Sequence, residues 1–159
     1  MYGAGDEKIG QIIGKGSTEG RAIRTKFLKS LPSLRVLKEK ISSSLKKRDY
    51  LIGLDKRRLH IRSEHSALNT LLQSAGAVVM KKATVILFDK LVAMGLRPNE
   101  DFAFVAHVHD EFQVECWPEF VEKVMLEAED SIYEAGKAFN LRCPMAGKAK
   151  TGGSWSETH

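Results

Sequence analysis

Four side chains that can bind a metal or move a proton lie together in an otherwise apolar stretch, FAFVAHVHDEFQVECW at 102–117. They are His107, His109, Asp110 and Glu111. β-forming residues approach them from both sides, so the pattern predicts two antiparallel strands with the charged residues at the tight turn between them. Adjacent carboxylates in such a place cost free energy unless something neutralises them. The pattern therefore favours a cation site.

A divalent cation with oxygen ligands fits this group best. Mg²⁺ keeps water or substrate phosphates in its remaining positions, so the carboxylates of Asp110 and Glu111 would be an ordinary protein contribution. Zinc is an alternative, but a zinc phosphohydrolase needs several more histidines, and outside the cluster the sequence offers His60, His65 and His159. The alternative without a chemical function is a buried histidine whose hydrogen bonds are satisfied, next to a turn exposed to solvent.

A long helix is predicted over residues 64–95, because this segment has no proline and its one interior breaker is Gly76. Asn69 and Gln73 share one face of this helix, in a run without charge. Their amides would cost free energy there without a polar partner. Amides can donate to purine N3 and pyrimidine O2 in the DNA minor groove, so DNA is one candidate partner. Hydrogen bonding inside the core is the other.

The composition is that of a folded domain with a mild basic excess. The chain has 159 residues, of which 43% are hydrophobic and 28% charged, and its formal net charge is +5. These values exclude a disordered chain and are compatible with a polyanionic partner. The basic residues concentrate in three clusters: KKR at 46–48, KRR at 56–58 and KK at 81–82.

Neither a membrane segment nor a signal peptide is expected. The longest uncharged run, 66–80, has 15 residues and includes several polar side chains, whereas a spanning helix needs about 20 apolar residues. No basic region followed by an apolar one opens the chain. Cys116 and Cys143 stand alone, without a CxxC pair, and predict reduced cytosolic thiols.

The remaining elements complete an α+β fold. An acidic start at Asp6 and Glu7 predicts a first helix near the N-terminus. Short apolar spacings and prolines at first-turn positions predict three more, over 18–29, 32–47 and 118–139. A small hairpin is predicted at 51–62, where LIGL and RLHIR flank a charged turn. The glycine-rich end, AGKAKTGGSWSETH, is expected to be irregular. The predicted architecture is an antiparallel hairpin packed on the long helix, preceded by shorter helices.

Five motifs occur in a fixed order: YGAGDEKIG at 2–10, GLDKRRLHIRS at 53–63, HSALNTLLQSAGA at 65–77, VHDEFQVE at 108–115 and a terminal GGSWSETH. Together they resemble the C-terminal part of the family A DNA polymerases, most of all the replicative polymerases of T7-like phages. The resemblance covers nearly the whole chain. Each motif alone is weak, but five in the right order make coincidence very improbable.

The resemblance implies a role for each matching residue of the hairpin and the long helix. Asp110 matches the metal-binding aspartate of the family's third motif, and Glu111 matches its catalytic acidic neighbour. His109 matches the histidine that contacts the primer end from the minor groove. Gln73 and Asn69 match minor-groove readers on the long palm helix.

Further DNA contacts are implied nearer the ends of the chain. Tyr2 and Gly3 match the end of the fingers helix, where the tyrosine packs beside the templating position. His159 matches a histidine common at the extreme C-terminus. His65 stands where many bacterial relatives have arginine and T7-like phage polymerases have histidine, so it narrows the subfamily.

The resemblance also implies subdomains and missing parts. Residues 1–50 would belong to the helical fingers, and residues 51–159 to the C-terminal palm, with the long helix 64–95 and the metal-binding hairpin 102–116. The complete enzyme would bind primer-template DNA, a dNTP and two Mg²⁺ ions. Its second catalytic aspartate, further palm and fingers residues and the thumb would come from an upstream polypeptide, so the isolated chain is predicted to be inactive.

Several expectations accompany this interpretation. The chain is either a truncated polymerase or one part of a split enzyme, encoded by a phage or prophage and acting in the bacterial cytoplasm. An uncovered sheet edge predicts self-association of the isolated chain. The alternatives are a non-catalytic DNA-binding module, a remnant fragment in a prophage, and a free-standing metal phosphohydrolase.

Overall fold

The computed structural model describes residues 5–158 and confirms a mixed fold of helices and small antiparallel sheets. The chain forms two compact units, Met1–Ser74 and Ala75–His159. The helices are α1 (Asp6–Ile12), α2 (Ser17–Ser30), α3 (Pro32–Leu45), α4 (Ala67–Ala93), α5 (Val121–Ala138) and α6 (Trp155–Thr158). The strands are β1 (Tyr50–Ile52), β2 (Arg58–His60), β3 (Phe102–Val108) and β4 (Glu111–Cys116).

In the first unit, α1 and α2 form a tight pair whose backbones approach at two glycines. A Cβ atom on Gly20 would lie 1.9 Å from the carbonyl oxygen of Asp6, and one on Gly10 would lie 2.1 Å from that of Gly16. Both contacts are far inside the van der Waals limit, so side chains larger than hydrogen cannot be placed there without a shift. Glycine is therefore what permits this helix pair.

The rest of the first unit is a helix, a short hairpin and the start of α4. The strands β1 and β2 pair antiparallel, with Leu51 opposite Leu59, which confirms the predicted hairpin. Leu51 is buried with Ile41 of α3 and Ala67 of α4. These three residues form the core of the unit.

The long helix α4 is slightly shorter than the predicted span of 64–95. A 3₁₀ turn at Glu64–Ser66 precedes it, because the Ser63 hydroxyl accepts a hydrogen bond from the Ser66 amide (3.3 Å) and fixes a tighter start. At its end Gly95 takes a φ of 88°. The amides of Gly95 and Leu96 donate to carbonyls of the last turn, which is the Schellman arrangement that stops a helix.

The apolar residues of α4 extend around the whole helix rather than along one stripe. Among the described residues, Glu64–Ala93 is long and apolar enough to cross a membrane, by length and composition alone. The core helix of a water-soluble protein passes the same test. The expectation of no membrane segment therefore stays a prediction.

In the second unit, the hairpin β3–β4 and helix α5 pack on the later part of α4. The core consists of Leu87 and Leu91 of α4 with Leu96, Phe102 and Val124. Helix α5 confirms the predicted helix at 118–139, with a 3₁₀ turn at its start. The C-terminal segment is mostly irregular as predicted, except that α6 adds one helical turn.

The predicted boundary between fingers (1–50) and palm (51–159) does not coincide with the boundary between the two compact units. The latter falls between Ser74 and Ala75, inside α4. The subdomain assignment stays a prediction. Tyr2, Gly3 and His159, to which the resemblance gives DNA contacts, lie outside the described residues.

Candidate active site

The turn between β3 and β4 presents the predicted acidic group to solvent. Val108 pairs with Glu111 as the last step of the ladder, so His109 and Asp110 alone form the connection. Both side chains are exposed, and Glu111 is half-buried. His109 has a φ of 52°, a left-handed conformation that costs free energy for a residue with a side chain. The predicted position of Asp110 at a tight turn is confirmed.

Strand β3 contains a bulge that changes which side chains share a face. Phe104 pairs with Val114, but Ala106 pairs with Gln113, so Val105 is the extra residue. Simple alternation from Phe102 would place His107 on the face opposite the phenylalanines. The bulge instead pairs His107 with Phe112, on the same face as the hairpin's apolar core residues.

Aromatic rings on this face hold the hairpin against α4. Phe88 of α4 lies edge-on to Phe102, with ring centroids 5.9 Å apart, and Phe102 lies edge-on to Phe104 at 6.2 Å. Phe104 continues the series to Phe112 at 5.9 Å. Such edge-to-face pairs add about 0.5–1.5 kcal/mol each beyond the area they bury. The acidic turn is thus carried on a rigid support.

A polar contact joins the same face of the hairpin to the helix nearer the turn. Thr84 Oγ1 of α4 lies 2.6 Å from His107 Nε2. The His107 ring also lies beside Phe112, with centroids 5.9 Å apart. Without the bulge, simple alternation would turn the His107 side chain away from α4.

The open end of the hairpin is fixed by an ion pair and by an indole. The guanidinium of Arg97 donates to both carboxylate oxygens of Asp101, each at 3.1 Å. This hydrogen bonding lowers the pKa of Asp101. The indole Nε1 of Trp117 donates to the carbonyl oxygen of Glu100 at 2.9 Å. Both ends of the hairpin are therefore held, and the acidic turn projects from a fixed base.

The donor set at the turn fits one side of a magnesium site. Asp110 offers an exposed carboxylate, and Glu111 offers a second one whose Oε1 accepts a hydrogen bond from Gln113 Nε2 at 3.1 Å. Hard oxygen donors of this kind suit Mg²⁺. Within residues 5–158, no three His, Cys, Asp or Glu side chains come together as they would around a metal ion. A complete cage is thus not found in the described part of the chain.

The predicted minor-groove residues lie in the first unit, whereas the acidic turn lies in the second. Asn69 is half-buried, and its Oδ1 is buried without a hydrogen-bond partner among the described residues. Gln73 and His65 are exposed. An unsatisfied buried acceptor costs about 1–3 kcal/mol, so Asn69 is not explained as a residue that stabilises the core. Its predicted role is untested.

Sequence reasoning missed a second cluster in the first unit. The guanidinium carbons of Arg48 and Arg58 lie 5.0 Å and 4.8 Å from the centroid of the Tyr50 ring. From the sequence, these two arginines are predicted only as members of the basic clusters at 46–48 and 56–58. The signal was present in the sequence, because an aromatic residue on β1 stands between them and pairs near Arg58 across the hairpin.

Both cysteines are free thiols. Burial raises the pKa of Cys116, so its thiol stays protonated at neutral pH and is a poor nucleophile. The chemistry of the site therefore rests on the acidic turn.

Comparison with known proteins shows the family. DNA polymerase family A matches residues 1–157. The DNA-directed DNA polymerases of Enterobacteria phage T3 and Escherichia phage T7 are each 40% identical over 176 aligned positions, which cover 100% of this chain and 25% of the relative. DNA polymerase I of Aquifex aeolicus is 29% identical over 94% of this chain and 26% of its own length.

A solved structure shows the same fold. The POL domain of Pol1 from M. smegmatis, in complex with DNA primer-template and dNTP, superposes with a TM-score of 0.73 at 18% identity. The superposition covers 84% of this chain and 25% of the solved one. The chain thus spans about a quarter of the length of these relatives. It belongs to DNA polymerase family A.

Proposed function

We propose that this chain is the C-terminal portion of a DNA-directed DNA polymerase and carries part of its nucleotidyl-transfer site. The observation that carries the proposal is the exposed Asp110 at the turn of a hairpin fixed at both ends, in a chain that matches the family over residues 1–157. DNA polymerases of this family depend on divalent metal ions, for which this turn supplies oxygen donors.

Asp110 would hold the divalent cation, and Glu111 would add negative charge beside it. In the complete enzyme, two bound ions of this kind would lower the pKa of a primer 3′-hydroxyl and stabilise the leaving pyrophosphate. His109 projects from the same turn and would donate a hydrogen bond to the primer end in the minor groove. The left-handed backbone at His109 fixes the direction of its side chain relative to the carboxylate that follows.

The first unit would contribute DNA contacts. Asn69 and Gln73 would donate hydrogen bonds to minor-groove acceptors, which lie in equivalent places in all base pairs and so report pair geometry rather than sequence. Asn69 Oδ1 is a buried acceptor without a partner among the described residues, so no hydrogen bond through that atom ties the side chain to the core, and the donating role rests on the match to the family's minor-groove readers. His65, Tyr2, Gly3 and His159 are proposed as further DNA contacts.

An upstream polypeptide would complete the enzyme. It would supply the second catalytic aspartate, the dNTP-binding residues and the thumb. Large apolar side chains of α4 support such a partner: Val85, Phe88 and Val92 are 52%, 40% and 43% exposed, although apolar helix faces are normally covered. Without that partner the same surface would favour self-association. Like the phage relatives, the enzyme is proposed to act in the cytoplasm of a bacterial host.

Reconstitution tests this proposal. The chain is combined, as a complex or as one polypeptide, with upstream polymerase residues that end before Tyr2, and extension of a primer-template is measured with Mg²⁺. Asp110→Asn should abolish extension, because the amide is neutral and a weak metal ligand. Asp89→Asn, which changes an exposed carboxylate of the same unit, should leave extension unchanged. Extension that survives Asp110→Asn contradicts the proposal.

A second candidate function is a DNA-binding module without catalysis. The Arg48–Tyr50–Arg58 cluster favours it, since paired guanidinium groups on an aromatic ring suit a nucleic-acid surface. The isolated chain would then bind duplex DNA with an affinity that falls steeply as salt rises. Absence of duplex binding at low salt removes this candidate, and binding unchanged by Arg48→Gln together with Arg58→Gln shows that this cluster is not the DNA-binding surface.

A further inference from the structure

The contact between Thr84 and His107 has a defined direction. The Thr84 hydroxyl has one hydrogen and lies 3.0 Å from the carbonyl oxygen of Met80, which can only accept. With its hydrogen on that carbonyl, Thr84 Oγ1 accepts the hydrogen bond from His107 Nε2 at 2.6 Å. A turn of α4 therefore fixes the hydroxyl, and the hydroxyl fixes the imidazole of His107 with its proton on Nε2.

The bulge in β3 is what makes this contact available. With Val105 as the extra residue, His107 pairs with Phe112 and shares its face of the hairpin, towards α4. Val108 and Glu111, the next pair, close the ladder before the His109–Asp110 turn. The Thr84–His107 contact is thus one pair removed from the acidic turn.

This contact lies at a solvent-exposed edge, since His107 is exposed and Thr84 half-buried. Water can replace such a hydrogen bond with little loss of folding free energy. Water does not hold two backbone segments at a fixed separation. The consequence of the bond is therefore positional: it fixes the direction in which the last pair of the ladder, and the turn beyond it, leaves the surface of α4.

We propose that Thr84 and His107 are a positioning pair that holds the β3–β4 turn so that Asp110 meets its metal and substrate. The inference rests on the proposed function and extends it to two residues that neither the motif nor the acidic turn includes. A misplacement of about 1 Å at a reacting group can lower a rate by about a hundredfold, so a small rotation of this turn is sufficient to matter.

The first experiment uses the chain alone and needs no activity. Thr84→Val keeps the shape of the side chain and removes the hydroxyl, whereas Thr84→Ser keeps the hydroxyl. Amide hydrogen exchange at residues 108–111 should become faster by about tenfold in Thr84→Val and remain near wild type in Thr84→Ser. Nitrogen NMR should show the Nε2 proton of His107 in wild type. Exchange at the turn that is equal in all three proteins overturns the proposal.

The second experiment uses the reconstituted polymerase. Thr84→Val and His107→Phe should each lower kcat by about tenfold and leave the KM for dNTP unchanged, with Thr84→Ser close to wild type. The double variant should be no slower than either single one, because both remove the same bond. Losses that multiply, or a lower thermal midpoint with normal kcat, overturn the positioning role. Failure of the proposed function is seen separately, as extension that survives Asp110→Asn.

Discussion

Lys90 Nζ on α4 lies 2.9 Å from Glu127 Oε2 on α5, and it also contacts the carboxylates of Asp130 and Glu134. One ammonium group, 24% exposed, therefore faces three acidic side chains of one helix. Without the lysine those carboxylates would repel one another along α5. The cluster joins the two helices on which the hairpin of the acidic turn rests.

Replacing Lys90 should weaken this unit without touching the acidic turn. Lys90→Met keeps the length and apolar stem of the side chain and removes its charge, so it should lower the free energy of unfolding by about 1 kcal/mol. Chemical unfolding monitored by circular dichroism measures the change. Lys82→Met, an exposed lysine of the same helix, is the control and should change stability little; equal effects contradict the role of the cluster.

The same cluster predicts how stability depends on pH. Hydrogen bonding to Lys90 lowers the pKa of Asp130, so this stabilisation is present above about pH 3.9, the unfolded value, and is lost as the pH falls through the folded one. Burial acts to lower the pKa of Lys90, but hydrogen bonds with Asp130 and Glu127 raise it overall. The stabilisation by charged Lys90 is fully present below about pH 10.4, the unfolded value, and is lost as the pH rises through the folded one. The stability difference between wild type and Lys90→Met should therefore be largest near neutrality and shrink at both extremes.

Two glycines, one in the second helix and one in the fourth, should respond in opposite directions to substitution by alanine. A Cβ on Gly20 would meet the Asp6 carbonyl oxygen at 1.9 Å, so Gly20→Ala should separate α1 from α2 and cost about 3 kcal/mol. Gly76 is inside α4 with nothing within 4 Å of its Cβ position, so Gly76→Ala should stabilise by about 1 kcal/mol. Urea midpoints distinguish the two outcomes. A stabilising Gly20→Ala would show that the two backbones do not approach as described.

The sequence predicts elements of this fold better than it predicts the faces they present. Helix α5 and the β3–β4 hairpin follow from apolar spacing and a charged turn, both of which are local signals. The bulge at Val105 does not follow from a local signal, because Ala106, His107 and Val108 fit either face of a strand by residue type alone. Tertiary packing against Phe112 decides which face each side chain takes. The close approach of the α1 and α2 backbones at Gly20 cannot be predicted from the sequence either, because a glycine is usually interpreted as a turn residue.

The candidate site shows the same difference between local signals, which are predictable, and tertiary contacts, which are not. Asp110 and Glu111 are at the turn where the pattern of β-formers puts them. The partner of His107 was not predictable, because Thr84 lies 23 residues away on another element and only the three-dimensional structure brings them together. Local chemistry was visible in the sequence, whereas its supporting contacts were not.

Asn69 should show different effects on stability and on function. Its buried Oδ1 has no partner among the described residues, so Asn69→Ala should leave the free energy of unfolding unchanged or raise it by about 1 kcal/mol. The same variant should weaken primer-template binding by the reconstituted polymerase, because a minor-groove donor is lost. Fluorescence anisotropy measures the binding.

A neighbouring residue provides the control for Asn69. The Thr70 hydroxyl already donates to the carbonyl oxygen of Ser66 at 3.0 Å, within the same helix, so Thr70→Ala should leave DNA affinity unchanged. If Asn69→Ala instead destabilises the chain and binds DNA normally, the amide belongs to the core and not to a DNA surface.

His109 allows backbone strain to be separated from chemistry. At a φ of 52°, glycine is favoured over alanine, so His109→Gly should be more stable than His109→Ala by about 1 kcal/mol. Both variants should extend primers slowly, because both lack the imidazole. Asn140, at the end of α5, has the same φ of 52°, so Asn140→Gly and Asn140→Ala should show the same stability difference with normal extension. If His109→Gly extends primers at the wild-type rate, the imidazole has no part in primer binding, and the histidine is present only for its tolerance of a left-handed backbone.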